Sequence, residues 1–173
     1  APPRIYVGAN KPQMMRMAAG IADHIMVGDP LPRRFARTMA MLDGFLAETG
    51  RTRRQVTVSG LVAWHVKEDR AHSMAEARQQ LALRGMLDPW YLDEFLTPEE
   101  CSLVDTNRNA FFKSYKNRAD VVPGVPETVM QKLVDNLGLA GTPDDLDPHI
   151  ERLRALGRLG LDDLSRVQVA CRP

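Results

Sequence analysis

The chain has 173 residues, 44% apolar and 26% charged, which is the balance of a soluble globular domain with a sizeable core. Its 23 Lys and Arg against 22 Asp and Glu leave a net charge of +1, so nothing electrostatic points to nucleic acid or an anionic membrane as partner. Cys101 and Cys171 are too far apart to suggest a disulfide framework or a metal-ligand spacing. No apolar run approaches the ~20 residues of a membrane span, and nothing at the start resembles a signal peptide, so a cytoplasmic setting is expected.

Ile5 to Ala9 is short, β-branched and apolar on both faces, as a buried strand of a parallel sheet should be. Pro12 suits a helix start, and Met14, Met17, Ala18 and Ile21 follow as one apolar stripe. Strand Ile25 to Val27 completes a βαβ unit. Phe35, Met39, Leu42 and Leu46 make a second helical stripe that Gly50 stops. The arginines around it (Arg33, Arg34, Arg37, then Arg51, Arg53, Arg54) read first as solvated surface. Val56 to Val66 is a long apolar strand whose Gly60 suggests a bulge or a close backbone approach. A helix over 68–86 is predicted to turn Ala71, Met74, Ala75 and Leu81 inward.

Residues 88–122 break the alternation. Trp90, Tyr91, Phe95, Phe111, Phe112 and Tyr115 stand among charges, with Pro89, Pro98 and Pro123 as punctuation, which reads as a helical insertion. It is either a binding loop or lid, or a satellite cluster or oligomer contact. Pro126 then opens a helix carrying Val129, Leu133 and Leu137. Thr142-Pro143-Asp144-Asp145 starts another, with Leu146, Ile150, Leu153 and Leu156 as its stripe. Leu164 to Ala170 reads as a last strand. The class is α/β, with about four parallel strands. These are too few to bury themselves, and no final helix covers the last one, so the simplest expectation is half of something, in one domain.

The opening stretch, with Pro3, Ile5, Tyr6, Val7, Gly8, Ala9, Pro12, Met14, Ala18, Gly20, Ala22 and Asp23 in register, resembles the luciferase-like monooxygenase superfamily. The likeness is to its deazaflavin-dependent, methylenetetrahydromethanopterin reductase-like branch. Val125-Pro126-Glu127 and Ala140-Gly141-Thr142-Pro143-Asp144-Asp145 resemble it too. The resemblance covers the whole chain but only the C-terminal half of the family's (β/α)8 TIM barrel. It implies an oxidoreductase passing hydride between F420, or alternatively FMN, and a small organic substrate, inactive without the N-terminal half. A homo-oligomer, or completion by an N-terminal half-barrel, would follow.

The resemblance also implies that the turn after the first strand helps bind the phosphate-bearing side chain of the cofactor, at the barrel's C-terminal face. Physically, Gly8 lets backbone approach a ligand, and the amides of Ala9, Asn10 and Lys11 precede a helix N-terminus, where an anion is favoured. Lys11 adds charge, although the family usually has Gly there, so this side chain either clasps a phosphate or obstructs it. A plain strand-to-helix turn is the other reading of these residues.

His65, beside Trp64 at the end of its strand, is a candidate general acid or base. Alternation lets only one of the two point inward. Asp29, Arg33 and Arg34 are further candidates to reach substrate. His24 reads as structural, His72 and His149 as surface, and the methionines as core. No metal site is expected. Two other readings stand beside the enzyme: a non-catalytic α/β remnant or interaction module pairing with another chain, and a doubly wound phosphate-binding domain.

Overall fold

The computed structural model describes residues 2–84 and 87–167. The chain divides into two compact units, residues 1–62 with 150–166, and residues 63–149 with 167–173. Each unit has its own buried apolar cluster.

The first unit contains β1 (Tyr6–Gly8), α1 (Pro12–Ile21), β2 (His24–Gly28), α2 (Pro32–Glu48), the first half of β3 (Thr57–Val66) and β5 (Asp163–Val167). β1, β2 and β3 pair in parallel, with Val7 opposite Ile25 and Ile25 opposite Val58, and β5 also pairs with β3. Ile25, Val27 and Val58 pack against Ala18 and Ala19 of α1 and Phe35 and Leu42 of α2. The α2 stripe is buried as expected, and Gly50 ends the segment at φ +67.

α1 departs from expectation. Its buried face is Met15, Ala18 and Ala19, continued by Ala22, while Met14, Met17 and Ile21 are 44%, 44% and 52% exposed. Alanines let the helix sit close against the sheet, where methionines at those positions would hold it off. The arginines are not all solvated either. Arg34 is buried in the first turn of α2, whereas Arg33 and Arg37 are exposed. Arg51 donates to the carbonyls of Ala19 and Ala22 at 2.7 Å each, satisfying the last turn of α1. Arg53 donates to the Gly160 carbonyl at 3.1 Å.

The second unit holds the end of β3, α3 (Arg70–Gln79), α4 (Pro89–Leu92), α5 (Pro98–Thr106), α6 (Arg108–Lys116), α7 (Glu127–Leu137) and β4 (Leu139–Gly141). α4, α5 and α6 are the short helices anticipated over 88–122. β4 lies parallel to β3, with Trp64 opposite Leu139. At three residues it is too short to signal itself, and the sequence reads Ala140 and Gly141 only as the approach to a helix. The core runs from Leu81 and Leu92 through Phe111 to Leu133 and Leu137. α3 is shorter than expected and buries Ser73, Glu76 and Ala77, while Ala71 is exposed.

α8 (Leu146–Arg158) follows a capped turn in which Asp145 accepts from the Thr142 amide at 2.7 Å. Its end belongs to the first unit, where Leu156 is buried and Ile150 is exposed. The expected last strand begins as β5, and its continuation over 168–170 lies outside the described residues.

Candidate functional site

The β1–α1 turn is built from two anchors and an open rim. The Ala9 N–H donates to the Met26 carbonyl at 3.0 Å, extending the ladder past β1. Asn10 Oδ1 accepts from the Gly28 N–H at 2.8 Å, tying the turn to the end of β2. Two of the four residues expected to face a ligand are therefore engaged in positioning it: the Ala9 amide is consumed by the sheet, and the Asn10 carbonyl oxygen by β2. Gly8 is different. A Cβ built on it meets nothing within 4 Å, so neither packing nor a left-handed φ demands glycine there.

Lys11 is exposed and stands at the N-cap of α1 in extended conformation (φ −98, ψ 159), with Pro12 next. No side chain caps this helix, and its first turn holds no acidic residue. The positive end of the helix dipole is thus left without the anionic complement that a cap or an acid would bring. The chemistry of this rim suits an anionic group.

His65 has a different environment from the one its position in the strand suggests. It is 3% exposed, and its Nδ1 lies 2.9 Å from Glu76 Oε1 on α3, while the other Glu76 oxygen accepts from Lys67 Nζ at 2.9 Å. A Cβ on Gly138 would lie 3.7 Å from its ring. His65 therefore faces α3, and strand alternation turns the half-buried Trp64 to the opposite face of β3. Burial pushes the imidazole below its ordinary value, with Arg84 and Lys67 acting in the same direction and the Glu76 carboxylate opposing. Burial pushes the Glu76 carboxyl up, but hydrogen bonds from His65 and Lys67 outweigh it and hold it below the usual range. The result is a neutral histidine on an ionised glutamate. The sequence holds no local signal for the pair, because its members sit 11 residues apart on different elements.

The remaining candidates are dispersed. Asp29 follows β2 at φ +44, its N–H donating to the Leu61 carbonyl at 2.9 Å. Arg152 of α8, which sequence reading overlooked, is largely buried. Desolvation lowers its pKa, and the Asp29 carboxylate works against that shift. His24 Nε2 lies 2.8 Å from Ser59 Oγ, and its ring stacks on Tyr6 at 4.7 Å, a structural arrangement. His72 is exposed, whereas half-buried His149 donates from Nε2 to the Ala140 carbonyl at 2.9 Å. Among the described residues no three His, Cys, Asp or Glu side chains are grouped to hold a metal, and no helix is long and apolar enough to cross a membrane.

The sequence model of the luciferase-like monooxygenase family matches residues 1–163, and the chain belongs to that family. It is 27% identical over 160 residues to the 5,10-methylenetetrahydromethanopterin reductase of Archaeoglobus fulgidus, covering 91% of this chain and 46% of that one. It is 23% identical over 153 residues to the enzyme of the same name from Methanolobus tindarius, covering 88% and 45%. The structure of the coenzyme F420-dependent tetrahydromethanopterin reductase from Methanopyrus kandleri superposes with a TM-score of 0.67 at 17% identity, over 93% of this chain and 44% of that one. An F420-dependent secondary alcohol dehydrogenase in complex with an F420-acetone adduct gives 0.57 at 15%, over 96% and 43%. The chain spans less than half the length of the curated relatives it matches. Its parallel α/β fold is part of a TIM-type barrel, and the family resemblance read from the opening motif is borne out.

Proposed function

We propose that this chain is the cofactor-anchoring part of an oxidoreductase that uses F420 or FMN and acts on a small organic substrate. The observation that carries the reading is the uncapped, acid-free N-terminus of α1 beside the open face of Gly8. The two named F420-dependent relatives in structure favour F420. In this reading Gly8 admits the anionic tail close to backbone, and Lys11 supplies charge. Asn10, held on Gly28, keeps the turn from shifting. The cofactor, when bound, supplies hydride chemistry that no protein side chain offers. His65 takes no part in proton transfer; it positions α3 against β3.

A second property belongs with this reading. Among the described residues β1 is the edge of the sheet, Tyr6 is 63% exposed, and Met14, Met17 and Ile21 of α1 are exposed. An exposed edge beside an apolar helix face suits completion by a further half-barrel. The test is a fluorescence titration with F420 and with FMN, of the 173-residue chain and of a longer form extended upstream. Saturable binding of one cofactor by the longer form supports the reading and names the cofactor. Absence of binding by both forms contradicts it and leaves the interaction module.

A further inference from the structure

The helical insertion contains a pocket that the oxidoreductase reading leaves unused. After α6 the chain reverses at Arg118 (φ +55) and returns alongside the helix through 119–123. Two bonds pin the return segment: the Ala119 N–H donates to the Ser114 carbonyl, and the Ser114 hydroxyl donates to the Val121 carbonyl, each at 2.9 Å. Phe111 on one side and Val122 on the other are buried in the core, which fixes both walls. Between them lies a cavity of about 310 Å³, lined by Ala110, Lys113, Asn117, Ala119, Val121 and Pro123. Its lining is mostly apolar, with Val121 of the wall 65% exposed, and Phe112 of α6, outside the lining, is 45% exposed.

The charge beside this pocket is mainly positive. Residues 107–123 contain Arg108, Lys113, Lys116 and Arg118 against a single acid, Asp120. Arg108 is paired with Asp105 at 2.8 Å. Among the described residues Lys113, Lys116 and Arg118 have no ion-pair partner. Lys113 is in the pocket wall, and Lys116 lies one turn along the same face of α6.

We propose that this pocket binds a small amphipathic anion, an aliphatic or aromatic carboxylate. Its apolar body fills the space between α6 and residues 119–123, and its carboxylate meets Lys113 and Lys116. The volume sits at the lower end of small-molecule pockets, which a short acyl chain or a single ring suits. The cations supply the choice of an anion over its uncharged counterpart, because charge complementarity sets specificity where apolar burial alone is indifferent.

Isothermal titration of the 173-residue chain with octanoate, octan-1-ol and octylamine tests this directly. Octanoate binds saturably, octan-1-ol about tenfold more weakly and octylamine more weakly still. Joint substitution Lys113→Glu and Lys116→Glu removes at least about tenfold of the octanoate affinity, whereas Lys113→Arg with Lys116→Arg preserves it. Both pairs are on the exposed helix face, so circular dichroism stays unchanged. No saturable octanoate binding, equal affinity for octan-1-ol, or affinity unmoved by the charge reversal overturns the proposal. None of these residues belongs to the β1–α1 turn, so cofactor titrations are indifferent to the outcome.

Discussion

Two strand ends in this chain use similar residue types to opposite effect. At the exit of β1 an exposed lysine, an asparagine and a glycine stand at a turn held to β2 by the Ala9 N–H on Met26 and by Asn10 on Gly28, with open space beside Gly8. At the exit of β3 a histidine, a lysine and a glutamate close on one another beneath α3, with every charge answered. A ligand needs donors and room, and only the first end has both. A histidine at the end of a strand draws attention in a sequence, yet here its ring bonds Glu76 and joins a strand to a helix.

Removing the carboxylate at the closed end gives the largest expected effect. Glu76→Ala leaves His65 and Lys67 without their shared acceptor, and destabilisation of about 3–5 kcal/mol is expected in chemical denaturation. A change below ~1 kcal/mol would mean that the cluster does not hold α3 to β3.

The two strand glycines give the next contrast. A Cβ on Gly60 meets Pro30 at 3.1 Å and Leu161 at 3.2 Å, whereas one on Gly8 meets nothing within 4 Å. Gly60→Ala is expected to cost about 1–3 kcal/mol through overpacking. Gly8→Val is expected to change stability by no more than about 0.5 kcal/mol, since a β-branched residue suits an uncrowded strand end. Equal losses at the two positions would remove the distinction between open and closed.

The closed end also sets an acid limit. His65 and Glu76 both have folded-state pKa values below their ordinary 6.5 and 4.5. A group depressed by folding contributes stability that is fully present above its unfolded pKa and is lost as pH falls towards the folded value. Stability should therefore decline as pH drops below about 6.5, and more steeply below about 4.5. In His65→Gln the upper part of that decline disappears while the lower part stays, which thermal unfolding across pH would reveal. An unchanged profile in His65→Gln assigns the upper decline to another group.

Much of this was legible in the sequence. α2 and α7 announce themselves by periodic apolar residues, and β2 and β3 by β-branched runs between turn residues. β1 is a strand where one was read, but an exposed rather than a buried one, with Tyr6 63% exposed. What escaped depends on partners distant in sequence. The inner face of α3 is set by Glu76, a residue a polarity pattern places in solvent, because His65 and Lys67 await it on the strand. α1 is rotated because Ala18, Ala19 and Ala22 pack closer than Met14, Met17 and Ile21 could. Arg51 reads as surface until the carbonyls of Ala19 and Ala22 need a donor. In the candidate turn the residue types were legible, but the loss of the Ala9 amide to Met26 follows from strand register, which no local window contains.

The most direct test of the account is a cofactor titration of the longer form as wild type, Gly8→Val and Glu76→Ala, with stability measured on the same samples. The account predicts that Gly8→Val loses at least about tenfold in affinity with stability unchanged, and that Glu76→Ala loses stability but keeps its affinity while folded. Gly8→Val binding as tightly as wild type would contradict it and return the β1–α1 turn to a plain connection between strand and helix.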